Sequence, residues 1–258
     1  GNDGGIFYLG NSNVNLSNTA NAIWPRNNHY LITQFYCGDM SMIKGSNYMI
    51  AGAQDNGTSY INSPGLNNRG FLRGGDGGFC MVSELDEEIQ INSYVYNSFW
   101  YTTNSWANHR ELIREKSGLF INPADLDYVN NFLFSCKDEG TIYGFDLSNA
   151  TSNPRSISFK NLTNGVPSCI YAYKRKSNGK SRLLVATNGG DMVMSDGNHS
   201  FSSSYKKIST GLNTGYVSSI YSHNKSDDTL FVTLSNYGVK NIYLATNGGS
   251  SWKAIDGN

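Results

Sequence analysis

Residues 182–195 of this 258-residue chain read RLLVATNGGDMVMS, in which two apolar runs are separated by a short turn. The runs Arg182–Thr187 and Met192–Ser195 have the composition of strands, and Asn188-Gly189-Gly190 supplies a turn that tolerates positive φ. A further apolar run lies on each side of this stretch, at Ser168–Tyr173 and at Tyr205–Ile208. We therefore predict a unit of four short antiparallel strands.

The same turn and strand recur along the whole chain. When six copies are aligned on the third residue of each turn, that residue falls at positions 5, 57, 98, 140, 190 and 238, which are 41 to 52 residues apart. This is the period of a β-propeller blade, about 40–50 residues with four short strands. We predict an all-β propeller of antiparallel blades that forms one domain over 1–258. Half a blade covers 1–31, and five full blades cover 32–76, 77–116, 117–166, 167–215 and 216–258.

One segment, 109–116, mixes apolar and charged residues in the manner of a helix. It falls where the repeat places the outer strand of a blade. We therefore predict a strand there, because the repeat outweighs a single short stretch of helix-forming residues.

The charge balance excludes two classes of partner. The chain holds 20 Lys and Arg against 20 Asp and Glu, so its net charge is zero and it has no electrostatic basis for binding nucleic acid or an anionic membrane. No run approaches the ~20 apolar residues that span a bilayer, so no membrane insertion is expected. Aromatic residues make up 13% of the chain, and most are expected to pack between blades.

The cysteines and histidines give no sign of a metal or cofactor site. The four cysteines (Cys37, Cys80, Cys136 and Cys169) lack CxxC spacing, so a zinc site is not expected. Each lies in an apolar run, which favours buried free thiols and leaves disulfides as the alternative. The four histidines are isolated, and the chain has no phosphate-loop or Gly-x-Ser-x-Gly pattern. No cofactor is expected.

Two hairpins share a sharper pattern, at Ser195–Phe201 and Thr246–Trp252. They resemble the Asp-box, or BNR repeat, which runs Ser/Thr-x-Asp-x-Gly-x-Thr-Trp. A short Asp or Asn accepts backbone N–H bonds in such a turn, Gly supplies positive φ, and the aromatic ring closes the turn against its neighbour. The resemblance implies structural roles for Asp196, Phe201, Asn247, Gly249 and Trp252.

A second resemblance rests on Gln54-Asp55-Asn56-Gly57 followed by Gly74-Gly75-Asp76-Gly77-Gly78-Phe79, with Asn2-Asp3-Gly4-Gly5 before them. This ordered set resembles secreted propellers described as glycosyl-hydrolase-like, BNR or sortilin-type, which are related in fold to endo-xyloglucanases and sialidases. The resemblance implies a bacterial protein that is secreted, periplasmic or on the cell surface. The implied role is to bind or process carbohydrate or glycoprotein.

Three carboxylates make up the candidate site. Asp55 lies between a second and a third strand and Asp76 between an outer strand and the next inner one, and both kinds of loop emerge on the same face of a propeller. Asp3 should emerge there too. Such a ring can hold sugar hydroxyls or Ca²⁺ or act as an acid and base pair; alternatively, each Asp satisfies N–H groups of its own turn. The candidate ligand-binding neighbours are Gln54, Asn56, Arg73 and Trp24.

Several functions therefore stay open. If the chain is an enzyme, it hydrolyses glycosides through paired carboxylates, but not as a typical sialidase, because Phe71-Leu72-Arg73-Gly74 only approaches the Phe/Tyr-Arg-Ile-Pro motif. The alternatives are a non-catalytic protein-interaction scaffold and a calcium-stabilised structural module. The sequence begins partway through a repeat without a signal peptide, so we expect part of a longer or processed protein. An unpaired blade edge predicts a homo-oligomer that covers it, or a ring completed by further sequence.

Overall fold

The computed structural model describes residues 7–9, 23–25, 33–65, 69–149, 153–196, 205–209, 211–212, 215–223 and 225–257. These residues form strands, turns and loops, and no helix that could span a membrane is found among them. The predicted all-β class is therefore confirmed.

The strands form five consecutive four-stranded antiparallel sheets, which are the blades of a propeller. Ahead of them, β1 (Phe7–Leu9) and β2 (Ile23–Pro25) form a two-stranded sheet. The first blade contains β3 (Phe35–Met40), β4 (Met49–Ala53), β5 (Gly57–Ile61) and β6 (Arg69–Arg73). The second contains β7 (Cys80–Val82), β8 (Gln90–Ser93), β9 (Asn97–Thr102) and β10 (Arg110–Glu115). The third contains β11 (Ala124–Asp127), β12 (Phe132–Asp138), β13 (Thr141–Asp146) and β14 (Arg155–Ser158). The fourth contains β15 (Pro167–Lys174), β16 (Ser181–Thr187), β17 (Met192–Asp196) and β18 (Tyr205–Lys207). The fifth contains β19 (Val217–Ser222), β20 (Leu230–Leu234), β21 (Ile242–Ala245) and β22 (Lys253–Ala254).

The turn residues that define the repeat have the backbone geometry expected of them. Gly57, Gly140, Gly190 and Gly238 lie between the second and third strands of four blades, and their φ angles run from +62° to +92°. Residues other than Gly rarely adopt this conformation. The segment 109–116, which was predicted to be a strand, contains β10 and pairs with β9.

The inner strands of all five blades line one central channel. β3, β7, β11, β15 and β19 together enclose a cavity of about 490 Å³. Each inner strand begins at the face that carries Asp55 and Asp76, which we call the entry face. It ends at the opposite face, which carries Met42, Glu84 and Tyr128 and which we call the exit face.

Apolar side chains between neighbouring blades form the core. Phe134 and Ile142 of the third blade pack on Leu183 and Val185 of the fourth. In the middle blades β9 and β16 are buried along their whole length, because both faces of each sheet are covered. In β4 and β20 buried and accessible positions alternate, so the first and fifth blades each keep one accessible face. Each apolar side chain buried in this way contributes about 1.5–3 kcal/mol.

Candidate functional site

The structure brings together two of the three predicted carboxylates. Asp55 lies on the β4–β5 turn and Asp76 on the β6–β7 connection, and the Asp55 backbone N–H donates to Asp76 Oδ1 over 3.1 Å. Asp55 has a φ of +54°, which fits a tight turn. Asp3 lies outside the described residues. In this contact Asp76 accepts an N–H of the turn that carries Asp55 rather than one of its own turn, so it joins two loops.

The glycines around Asp76 allow two backbone segments to approach each other closely. Gly57 N–H donates to Gly75 O over 2.6 Å, and Gly77 N–H donates to Ala53 O over 2.9 Å. A Cβ atom on Gly52 would collide with the carbonyl oxygen of Gly78. The two Gly-rich motifs are therefore joined backbone to backbone into one clasp. The acid and base roles of the aspartates stay predictions.

Of the four predicted ligand-binding neighbours, Gln54 and Asn56 flank Asp55 in the β4–β5 turn and Arg73 ends β6. Asn56 Nδ2 donates to Gln54 O over 2.9 Å within the turn. The Arg73 guanidinium lies 3.6 Å from the ring centroid of Trp100 in the second blade, and burial together with nearby Arg114 lowers the pKa of Arg73. Arg73 therefore joins two blades. Trp24 lies in β2.

The structure describes four of the five residues assigned to Asp-box turns, and three of these four lie in the hairpin of the fifth blade. Asn247 Oδ1 accepts the Ser251 N–H over 3.1 Å, and Trp252 Nε1 donates to Ile208 O over 2.6 Å. Gly249 adopts a φ of +77° beside Ile208. Phe201 lies outside the described residues.

Asp196, the remaining Asp-box residue, belongs to an ion cluster that joins the fourth and fifth blades. Its carboxylate accepts hydrogen bonds from Nε and Nη2 of Arg182. Arg182 is 4% exposed and also donates from Nη1 to Asp227 O of the fifth blade over 3.0 Å. Arg175 lies 3.3 Å from Asp196 and 3.6 Å from the Asp227 carboxylate. The cluster fixes the position of one blade relative to the next.

Two aspartates inside the channel were missed by sequence reasoning. Asp39 on β3 accepts the Val82 N–H of the second blade over 2.8 Å, and Asp125 on β11 accepts the Ala172 N–H of the fourth blade over 2.6 Å. Burial raises the pKa of both, that of Asp125 to about 7. As whole residues, Asp39 and Asp125 are half-buried.

We predict that Asp125 makes stability depend on pH in the direction opposite to most carboxylates. Because its pKa is raised, the folded chain holds a proton between about pH 4 and pH 7 that the unfolded chain releases, so stability falls as the pH rises through this range. Asparagine does not titrate and its side-chain oxygen can accept the same Ala172 N–H, so we expect the stability of Asp125→Asn relative to wild type to rise by about 1–3 kcal/mol between pH 5 and pH 8. Urea denaturation of wild type and variant at pH 5 and at pH 8 gives the free energies of unfolding to compare. If the free energy of unfolding changes with pH by the same amount in the two proteins, the prediction is contradicted.

The exit mouth of the channel is apolar and aromatic. Met40 and Met42 are 53% and 66% exposed there, at the end of β3 and in the loop after it. Burial raises the pKa of Tyr128, and the hydrogen bond of Tyr128 to Glu84 raises this pKa further. The Tyr171 ring lies 6.3 Å from that of Tyr221. We call the cavity-lining residues Met40, Met42, Glu84, Tyr128 and Tyr171 the exit mouth.

The thiols and carboxylates do not gather into a metal site in the described part of the chain. No group of three or more His, Cys, Asp or Glu side chains there could hold an ion. All four cysteines are free thiols, with Cys80 and Cys136 buried and the other two half-buried. Binding of Ca²⁺ at the entry face stays a prediction.

Comparison with known proteins supports the fold. No family model and no curated protein matches the sequence. Among solved structures, the chain is similar to YCF48 from Cyanidioschyzon merolae, with a TM-score of 0.55 and 13% identity over 86% of this chain and 85% of that one. A chain of the mitotic checkpoint complex gives a TM-score of 0.61 and 9% identity over 87% and 64%. YCF48 bound to D1 peptide gives 0.53 and 13% over 86% and 66%. At these identities the likeness shows a shared propeller fold.

Proposed function

We propose that this chain is a non-catalytic protein-interaction scaffold, which binds a segment of a partner protein at the exit mouth. The observation that carries the proposal is the exposure of Met40 and Met42 beside the tyrosines that rim the channel. Met and Tyr are enriched where proteins bind one another, because the Met side chain adapts its shape and the Tyr side chain offers both an apolar ring and a hydroxyl. The five inner strands hold this surface on a rigid base.

The charge of the channel favours a cationic segment. Asp39, Glu84 and Asp125 line the cavity, of which Asp125 is charged mainly above about pH 7, and none of the described lining residues is Lys, Arg or His. A Lys or Arg side chain of the partner would find carboxylates without competing cations. An anionic segment would meet repulsion at the same place.

Peptide binding by a similar propeller also supports the proposal. One of the structures of the same fold is titled YCF48 bound to D1 peptide. Carbohydrate or glycoprotein binding, an exported location and membership of the BNR or sialidase-type group stay predictions from the sequence. Formation of a homo-oligomer through a blade edge stays one as well.

Selection from a phage-displayed library of random 12-residue peptides tests the proposal. We expect enrichment of peptides with Lys or Arg, and at least tenfold weaker binding of a selected peptide to Met42→Ser and to Glu84→Gln. Tyr237→Ser is the matched control, because Tyr237 is fully exposed on the entry face. Melting temperatures should stay unchanged in all three variants.

Two outcomes would overturn the proposal. One is the absence of any enriched peptide, and the other is equal binding to the wild type and to both exit-mouth variants. A glycan array run with the same proteins tests the alternative: binding that an Asp55→Asn/Asp76→Asn double variant abolishes would favour carbohydrate recognition at the entry face.

A further inference from the structure

The outer strand of the first blade contains a register shift that turns an arginine toward the second blade. Phe71 of β6 pairs with Ser59, whereas Arg73 pairs with Thr58, the residue next to Ser59. Phe71 and Arg73 therefore lie on opposite faces of the sheet, although they are two residues apart. Arg73 lies on the face toward the second blade, where its guanidinium carbon is 3.6 Å from the ring centroid of Trp100.

A register shift in β10 brings a second arginine to the same ring. Glu111 pairs with Trp100, and the register then shifts so that Arg114 pairs with Ser98. Because Ser98 and Trp100 are two residues apart on β9, Glu111 and Arg114 lie on one face of the second blade. The guanidinium carbon of Arg114 is 5.5 Å from the ring centroid of Trp100. We call Arg73, Trp100, Glu111 and Arg114 the arginine seam.

The Arg73 guanidinium has no anionic partner within the part of the chain that the structure describes. Its Nε is buried and makes no hydrogen bond, and no described Asp or Glu forms an ion pair with it. The charge of Arg114 repels that of Arg73, which adds to the effect of burial in lowering the pKa of Arg73. Buried polar groups nearly always have a hydrogen-bond partner, which can be an ion. A ligand with acceptor oxygens would provide one here.

The carboxylate of the arginine seam does not satisfy both arginines. Glu111 Oε2 lies 3.8 Å from Arg114 Nε, which is beyond hydrogen-bonding distance. Two guanidiniums beside one carboxylate leave a local excess of one positive charge. A guanidinium presents a planar fork of N–H groups that fits a pair of oxygens on a carboxylate or phosphate. A carboxylate is satisfied by one such fork, whereas a tetrahedral anion has enough oxygens to accept from two.

We propose that the arginine seam binds a tetrahedral oxoanion, which is a phosphate or sulfate group, between Arg73 and Arg114. The Arg114 side chain is 64% exposed and can reach a ligand from solvent, whereas Arg73 is half-buried and held against Trp100. Both arginines lie near the ends of their outer strands, which finish at the entry face. The site shares no residue with the exit mouth, so it is independent of the proposed peptide binding.

Calorimetric titration of the protein with inorganic phosphate, at neutral pH and low ionic strength, tests the proposal. We expect saturable binding of one phosphate per chain, for which sulfate competes. Arg114→Met should weaken it at least tenfold, and Arg73→Lys, which keeps the charge but loses the fork, at least threefold. Glu111→Gln should strengthen binding about threefold, because it removes a competing carboxylate. Arg155→Met is the matched control: Arg155 is exposed on the third blade, and its loss should change binding less than twofold.

Three results would overturn the proposal. Equal phosphate affinities of Arg114→Met and Arg155→Met would show that phosphate responds only to the net charge of the chain. Acetate that binds as tightly as phosphate would show that the seam takes carboxylates rather than tetrahedral anions. No saturable binding by the wild type would show that the two arginines hold no anion. The side chains of Glu111 and Arg114 are 46% and 64% exposed, so their variants should keep the melting temperature of the wild type.

Discussion

Replacement of Gly57 by alanine is expected to lower the free energy of unfolding by more than about 3 kcal/mol. Gly57 has a φ of +64°, and a Cβ atom there would collide with the carbonyl oxygen of Arg73 and lie 2.9 Å from its carbonyl carbon. Backbone atoms cannot move aside as a flexible side chain can. The clasp between the β4–β5 turn and the β6–β7 connection would therefore have to open.

The control Gly45→Ala separates the cost of a colliding Cβ atom from the cost of a positive φ angle. Gly45 has a φ of +89° in the loop after β3, but a Cβ atom there would have no neighbour within 4 Å, so this change should cost about 1 kcal/mol. Urea denaturation of both variants gives the comparison. If they lose the same amount of stability, the close approach of the two backbones is not what requires glycine at position 57.

Arg182→Met should cost about 3 kcal/mol, because it removes a buried guanidinium from the pairs that join the fourth and fifth blades. The variant loses two hydrogen bonds to Asp196, one to the Tyr173 hydroxyl and one to the backbone of Asp227. Methionine keeps most of the side-chain volume, so the loss is mainly electrostatic. Asp196 is partly exposed and can be solvated by water once its partner is gone.

Arg114→Met is the matched control. The Arg114 side chain is 64% exposed and lies 3.8 Å from Glu111, and an exposed pair of this kind contributes less than about 1 kcal/mol. Thermal and urea denaturation should therefore separate the two variants clearly. A loss at Arg182 no larger than that at Arg114 would mean that the buried cluster is not a main link between these blades.

The sequence predicts the fold well because a propeller repeats its local signals. Gly57, Gly140, Gly190 and Gly238 mark equivalent turns, and only Gly readily adopts the backbone angles required there. The repeat also identified β10 correctly against a helix-like composition. The repeat predicts the fold reliably because nearly the same pattern of turns and strands occurs in five blades.

The site is less predictable, since the same residues suit a turn and a binding face. The sequence around Asp76 is equally compatible with a ligand-binding loop and with a structural clasp. Only contacts between blades distinguish the two. The channel residues Asp39 and Asp125 were missed for another reason. Which residues of an inner strand face the channel depends on the register shift after Phe35, and no sequence signal locates such a shift.

The accessible faces of the first and fifth blades give the molecule two ends. Each sheet is completed within one contiguous stretch of chain, so a blade depends on its neighbours through side-chain packing, hydrogen bonds and ion pairs rather than through shared strands. An array of this kind loses structure from its ends, where a unit has one neighbour instead of two. The third blade, farthest from both ends, should then be the last to unfold and a natural place for folding to begin.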